Sequence, residues 1–123
     1  MNEHILIVDD TLGILKVLKK FLESNGYRTS MAKEGKKALN RIGSEDFDLV
    51  ILDVDMPKMD GKRIAERIRS DYGPEDIKIV FLALNEKKEI DEDTMESLQI
   101  QGFIRKPFQK EDVLDQISEA FAN

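Results

Sequence analysis

The sequence predicts an α/β fold: a doubly wound, five-stranded parallel sheet with helices on both faces. Three observations carry this. Short apolar runs such as ILIV at 5–8 and LVIL at 49–52 alternate with stretches whose apolar residues recur every three or four positions. The runs are continuous, as in strands buried on both faces, and strands joined through helices make parallel sheets. The chain has 123 residues, 41% of them hydrophobic, which suits one domain with one sizeable core.

Taken in order, Ile5 to Val8 reads as the first strand, ending at Asp9-Asp10, with Thr11 placed to cap the following helix. Leu12, Leu15, Leu18, Phe21 and Leu22 stripe that helix, and Asn25-Gly26 stops it. Tyr27 to Ala32 alternates as a second strand, and Ala38, Leu39 and Ile42 mark a short helix ending near Gly43. Leu49 to Leu52 is the third strand; Asp60-Gly61 opens a helix striped by Ile64, Ala65 and Ile68, which closes before Gly73-Pro74. Ile77 to Leu84 is the fourth strand. Residues 85–100 are polar, with Ile90, Met95, Leu98 and Ile100 as the core contacts of an expected helix. Phe103-Ile104 is a short fifth strand, and Lys110 to Phe121, with Val113, Leu114, Ile117 and Phe121 in phase, is the last helix. With no repeat, low-complexity tract or linker, residues 1–123 read as a single domain.

Composition narrows the function classes. There is no cysteine, so neither disulfides nor thiolate metal sites are possible. A net charge of −6 argues against direct nucleic-acid binding, which needs clustered Lys and Arg. No apolar run approaches the ~18 residues of a membrane span, and the start, MNEHILIVDD, lacks a basic leader. A soluble, cytoplasmic protein without membrane insertion is expected.

The stretch LVILDVDMPKMDG, at 49–61, drives an apolar strand into the core and finishes it with carboxylates. Asp9 and Asp10 end the first strand in the same way, and in open α/β sheets ligands sit beyond the carboxyl ends of the strands. If the first and third strands are neighbours, three carboxylates converge. Two like charges ~4 Å apart repel by about 4 kcal/mol at an effective dielectric near 20, so a counter-charge is required. A hard divalent cation is one candidate. Lys106, directly after the fifth strand and followed by Pro107, is the other.

These residues are similar, from end to end of the chain, to the receiver domain of bacterial two-component response regulators, of the single-domain, chemotaxis-regulator-like kind. The resemblance implies the flavodoxin-like strand order 2-1-3-4-5. It implies that Asp53 is a phosphoacceptor, taking a phosphoryl group from a sensor histidine kinase or a histidine phosphotransfer protein. Asp10 and Asp53 would hold Mg²⁺ (or Mn²⁺) through side chains, Asp9 largely through a water, and Asp55 through its backbone carbonyl. Lys106 would pair with the phosphoryl oxygens, and the Lys-Pro bond would be cis. Such a domain is not an enzyme with a separate substrate. It assists its own phosphorylation and dephosphorylation and signals by contact with an effector in trans. No output segment follows Phe121, so the output is expected in a partner or in a parent chain.

The sequence also departs from the pattern. The family ends its fourth strand with Ser or Thr; here IVFLALNEKKE puts Ala83 there, with Leu84 next in place of a small residue. A phosphorylatable Asp53 with a weakened or altered loop transition is expected, with Leu84 crowding the phosphoryl site. Phe103 stands where the family often has a rotating aromatic, though a plain strand aromatic is an equal reading. SLQIQGF replaces the usual Ala-Gly approach to the fifth strand, so the fourth helix is expected to be short or displaced. His4, the only histidine, reads as an exposed flank residue, Met56 and Met59 as loop packing, and Lys87-Lys88 as a solvated charge run. Two alternatives remain: a phosphorylation-independent docking module, and an aspartyl phosphatase using Asp53-Val54-Asp55 as its D-x-D. The second leaves Asp9-Asp10 without a role.

Overall fold

A computed structural model describes residues 2–57, 60–84 and 91–122. Met59, Lys87, Lys88 and Ile90 lie outside the described residues. Five parallel strands alternate with five helices: β1 (His4–Val8), α1 (Leu12–Glu23), β2 (Arg28–Ala32), α2 (Gly35–Ser44), β3 (Leu49–Asp53), α3 (Gly61–Asp71), β4 (Lys78–Leu84), α4 (Glu92–Ser97), β5 (Gly102–Lys106) and α5 (Lys110–Ala122). The sheet order is β2-β1-β3-β4-β5, so β1 and β3 are neighbours at the centre, as the carboxylate argument requires.

Strand alternation divides the core in two. Leu6, Val8, Val50, Leu52, Ile79 and Phe81 face one side, where Ala38 and Ile42 of α2 and Ile64, Ala65 and Ile68 of α3 cover them. Ile5, Ile7, Leu49, Ile51, Val80, Leu82 and Ile104 face the other, under Leu15, Leu18 and Leu22 of α1 and Val113 and Ile117 of α5. Both faces of the central strands are therefore dry, which accounts for their unbroken apolar runs.

The helix boundaries have local causes. Gly26 takes φ 93°, a left-handed conformation that suits glycine, at the turn between α1 and β2. Asp60 caps α3 by accepting the Arg63 N–H at 2.9 Å. Thr11 sits at the cap position of α1 with extended backbone, but its side chain makes no capping bond. The fourth helix is short, spanning six residues with none buried, while Met95, Leu98 and Ile100 pack partly against the α2/α3 core. His4 is not a loose flank. It lies in β1, its Nδ1 3.1 Å from the Asp46 carbonyl and its Nε2 2.9 Å from Ser30 Oγ, with its ring against Phe47. Met56 is buried in the α2/α3 core, as expected.

Gly61 fixes how α3 leaves β3. A Cβ there would lie 2.7 Å from the Asp53 carbonyl oxygen and 2.9 Å from Val54 Cα, both backbone atoms. Alanine has the better helix propensity, yet Gly61→Ala is expected to destabilise the chain by about 1–3 kcal/mol because backbone must shift. Urea denaturation measures this, and a variant as stable as the parent would show that the approach is looser than described.

Candidate functional site

The site follows from the alternation of three strands. Asp9 continues the phase of Ile5 and Ile7, Asp53 that of Leu49 and Ile51, and Lys106 that of Ile104. All three thus leave the carboxyl rim of the sheet on the α1/α5 side. Lys106 Nζ lies 3.0 Å from Asp9 Oδ2 and 3.5 Å from Asp53 Oδ2. Asp9 and Asp53 are the buried charged residues among those described, at 0% and 1% exposure, so Lys106 serves two carboxylates with little help from water.

Each side chain is held from its own loop. Asp9 Oδ1 accepts the Thr11 N–H at 2.8 Å, and Asp53 Oδ1 accepts the Asp55 N–H at 2.9 Å. Both carboxylates therefore have one oxygen fixed by backbone and the other turned toward the lysine. Val54 N–H donates to the Leu82 carbonyl at 3.0 Å, extending the β3–β4 contact past Asp53 and anchoring the loop. The Lys106-Pro107 bond is cis, as the resemblance implied.

Asp10 is exposed, yet a carboxylate oxygen from each of Asp9, Asp10 and Asp53 lies within 4.8 Å of the others. The donor set suits a hard divalent cation: oxygen ligands only, with net negative charge left over after Lys106. Asp9 Oδ2 is fully buried, with Lys106 Nζ at 3.0 Å as its partner. A buried carboxylate oxygen of that kind is suited to a cation. Asp55 stands half-buried beside the pocket, its Oδ2 3.5 Å from the Leu84 amide.

The charges respond to this crowding. Burial pushes the Asp53 carboxyl up to about 6; the Asp55 N–H and the Lys106 charge oppose the shift, and the Asp9 charge adds to it. For Lys106, burial alone would lower the pKa, but the contacts with Asp9 and Asp53 outweigh it and raise the group above its usual value. Lys106 is a cation in this pocket.

The remaining positions of interest face the other way. Ala83 is buried with the α2/α3 core, and Phe103 is partly buried against that same core, with the Arg105 guanidinium 4.8 Å over its ring. The Phe103 N–H donates to Gln116 Oε1 of α5 at 2.9 Å. Leu84, unlike Ala83 and Phe103, pairs with Lys106 in the β4–β5 register and is 46% exposed. The sequence grouped Lys106 with all three carboxylates; the structure adds that Asp9, and not Asp10, is buried against it. The two-residue spacing of Ile5, Ile7 and Asp9 carried that signal.

The raised Asp53 carboxyl has a consequence for stability. An acid whose folded pKa exceeds its unfolded value, near 3.9, favours the fold fully below that value. That contribution is lost as pH rises through about 6. In chelator, Asp53→Asn is therefore expected to gain on the parent between pH 4 and pH 7, by about 1–2 kcal/mol once solvent screening is allowed for. Denaturant midpoints across that range measure it; a difference independent of pH would contradict the burial of the charge.

Comparison with known proteins agrees with this geometry. The family description "Response regulator receiver domain" matches residues 5–118. Sporulation initiation phosphotransferase F of Bacillus subtilis is 33% identical over 119 residues, covering 97% of this chain and 94% of that protein. The chain also matches longer regulators, of whose length it spans 41–43%. A CheY-like receiver domain protein from Methanospirillum hungatei superposes with a TM-score of 0.88 at 27% identity, covering 99% of this chain and 95% of that one. The Thermotoga maritima response regulator TrrA, solved in complex with Mg(2+)-BeF, gives 0.84 at 29% identity over 96% and 98% of the two chains. Strand order, acidic rim and family match together make this chain a member of the response regulator receiver domain family, the phosphoacceptor signalling domains of two-component systems.

Proposed function

We propose that Asp53 is the phosphoacceptor of this receiver domain, that Asp9, Asp10 and Asp53, with the Asp55 carbonyl, hold Mg²⁺ or Mn²⁺, and that Lys106 binds the phosphoryl oxygens. The observation that carries this is the placement of Lys106 between two buried carboxylates, 3.0 Å from Asp9 and 3.5 Å from Asp53. A structural ion pair needs one carboxylate. A second one, pushed toward neutrality by burial, is costly unless the site is used when its charge is balanced.

In this reading, a carboxylate oxygen of Asp53 attacks phosphorus in line as the phosphorus–nitrogen bond of a phosphohistidine breaks, and the histidine leaves with its electron pair to be protonated. The product is an aspartyl phosphate. The Asp55 N–H fixes the orientation of the nucleophile by holding Oδ1. Lys106 presents its charge where the equatorial oxygens become negative, which is most of what a loose phosphoryl-transfer transition state requires. A bound divalent cation supplies further neutralisation of the carboxylates and the phosphoryl oxygens. The partners are a sensor histidine kinase or a histidine phosphotransfer protein, and an effector contacted in trans.

Ala83 favours a second reading, a docking module that does not depend on phosphorylation. The side chain is packed in the core and carries no hydroxyl for a phosphoryl group. The intact acid–lysine pocket weighs against complete loss of the chemistry, since unneeded buried carboxylates are expensive. Ala83 is better read as altering the response than as abolishing phosphorylation.

Intact-mass analysis with a small phosphodonor separates the readings. An adduct of one phosphoryl group that needs Mg²⁺ and is absent in Asp53→Asn is expected, with a changed lifetime in Ala83→Thr. No adduct from any donor, a cognate kinase included, would favour the docking module, and an unchanged lifetime in Ala83→Thr would remove the role given to that position.

A further inference from the structure

The fourth helix buries no side chain fully, although its Met95 packs partly against the core, so further ties must hold it. Among the described residues the ties gather at its C-terminal corner, where α4 hands over to β5. Arg69, in the last turn of α3, directs its guanidinium there and donates to the carbonyls of Leu98 at 2.7 Å and Gln99 at 3.0 Å. It also donates to the Ile77 carbonyl at 2.6 Å, the Tyr72 carbonyl at 3.4 Å and Gln101 Oε1 at 3.2 Å. A guanidinium has five N–H donors in a rigid fork, and here acceptors from three chain segments meet them all. A lysine could not reproduce that pattern.

Gln101 completes the grip. Its Oε1 accepts the Ile79 N–H at 2.9 Å, its Nε2 donates to the Pro74 carbonyl at 3.3 Å, and its own N–H donates to the Ile79 carbonyl at 2.8 Å. Between these anchors Gln99 takes φ 53°, a left-handed conformation that a glutamine rarely adopts. The backbone is thus bent against its preference at the spot where Arg69 binds its carbonyl. The other end of α4 differs. Asp91 caps it by accepting the Thr94 N–H at 2.7 Å and feels the charge of Lys62 on α3, while Glu92 and Asp93 are exposed.

We propose that Arg69 is a fixed pivot for α4: it pins residues 98–101, so that a change at the pocket swings the N-terminal turn of the helix while its C-terminal corner stays in place. The link to the pocket rests on the phosphoacceptor reading above. The pivot itself belongs to the resting chain. The long contact from the Leu84 amide to Asp55 Oδ2 joins the end of β4 to the loop after Asp53, on the side from which such a swing would start.

Amide hydrogen exchange on the whole chain tests the pivot. In the resting protein, Ile100 and Gln101 are expected to exchange roughly tenfold or more slowly than Thr94 and Met95. In Arg69→Lys, and in Arg69→Met, which keeps the stem and removes every donor, Ile100 and Gln101 should accelerate about tenfold while Ile7 and Ile51 hold their rates. Equal acceleration at Ile7 and Ile51 would make Arg69 a general stabiliser and overturn the pivot, as would no acceleration at all. With Mg²⁺ and beryllofluoride, a phosphoryl mimic, Thr94 and Met95 should change while Ile100 and Gln101 do not; equal changes at both ends would overturn it. If beryllofluoride leaves Val54 and Gly61 unperturbed, the phosphoacceptor reading fails instead, and the resting-chain comparison still decides the pivot.

Discussion

The structure depends on an imbalance of charge at the carboxyl rim of its sheet. Asp9, Asp10 and Asp53 bring three negative groups within 4.8 Å, and Lys106 reaches two of them. Two of the three acids are buried, so water cannot absorb the repulsion. A protein could remove the conflict by replacing Asp53 with an apolar residue, as buried ion groups often tolerate. The fold keeps it instead and spends the apolar strength of β1 and β3 to hold both acids in place. Those two strands are the most deeply buried in the molecule, and they end at the site.

Alternation then divides the sheet between two faces. The acid–lysine pocket shares its phase with the α1/α5 face, whereas Ala83 and Phe103 share theirs with the face that α2 and α3 cover. The two halves meet through backbone: β3 pairs with β4 as far as Asp53 and Leu82, and β4 pairs with β5 as far as Leu84 and Lys106. Position 83 carries a buried alanine, with no hydroxyl to turn toward the pocket.

Much of this was legible in the sequence. Continuous apolar runs marked the central strands because both of their faces are covered, and Asp60-Gly61 marked α3 because the aspartate caps it and the glycine lets it approach β3. The convergence of Asp9, Asp53 and Lys106 followed from strand order. The sequence was less clear where side chains act on backbone. Nothing local distinguishes Arg69 from its neighbours Arg63 and Arg67, since its partners lie 29 to 32 residues away for three of its bonds. His4 looked like a flank residue because Asp46 and Ser30, which fix it, come from other segments. The short α4 had too few apolar residues for periodicity to define it.

The central claim is that these carboxylates form one cation-holding pocket, and a Mg²⁺ titration followed amide by amide in solution tests it most directly. Perturbations at Asp9, Asp10, Thr11, Asp53, Val54 and Lys106 should rise together and saturate with a single affinity. Perturbations centred instead on the acidic groove of Glu45, Asp46, Asp48, Asp71 and Asp76, or a response that never saturates, would contradict it.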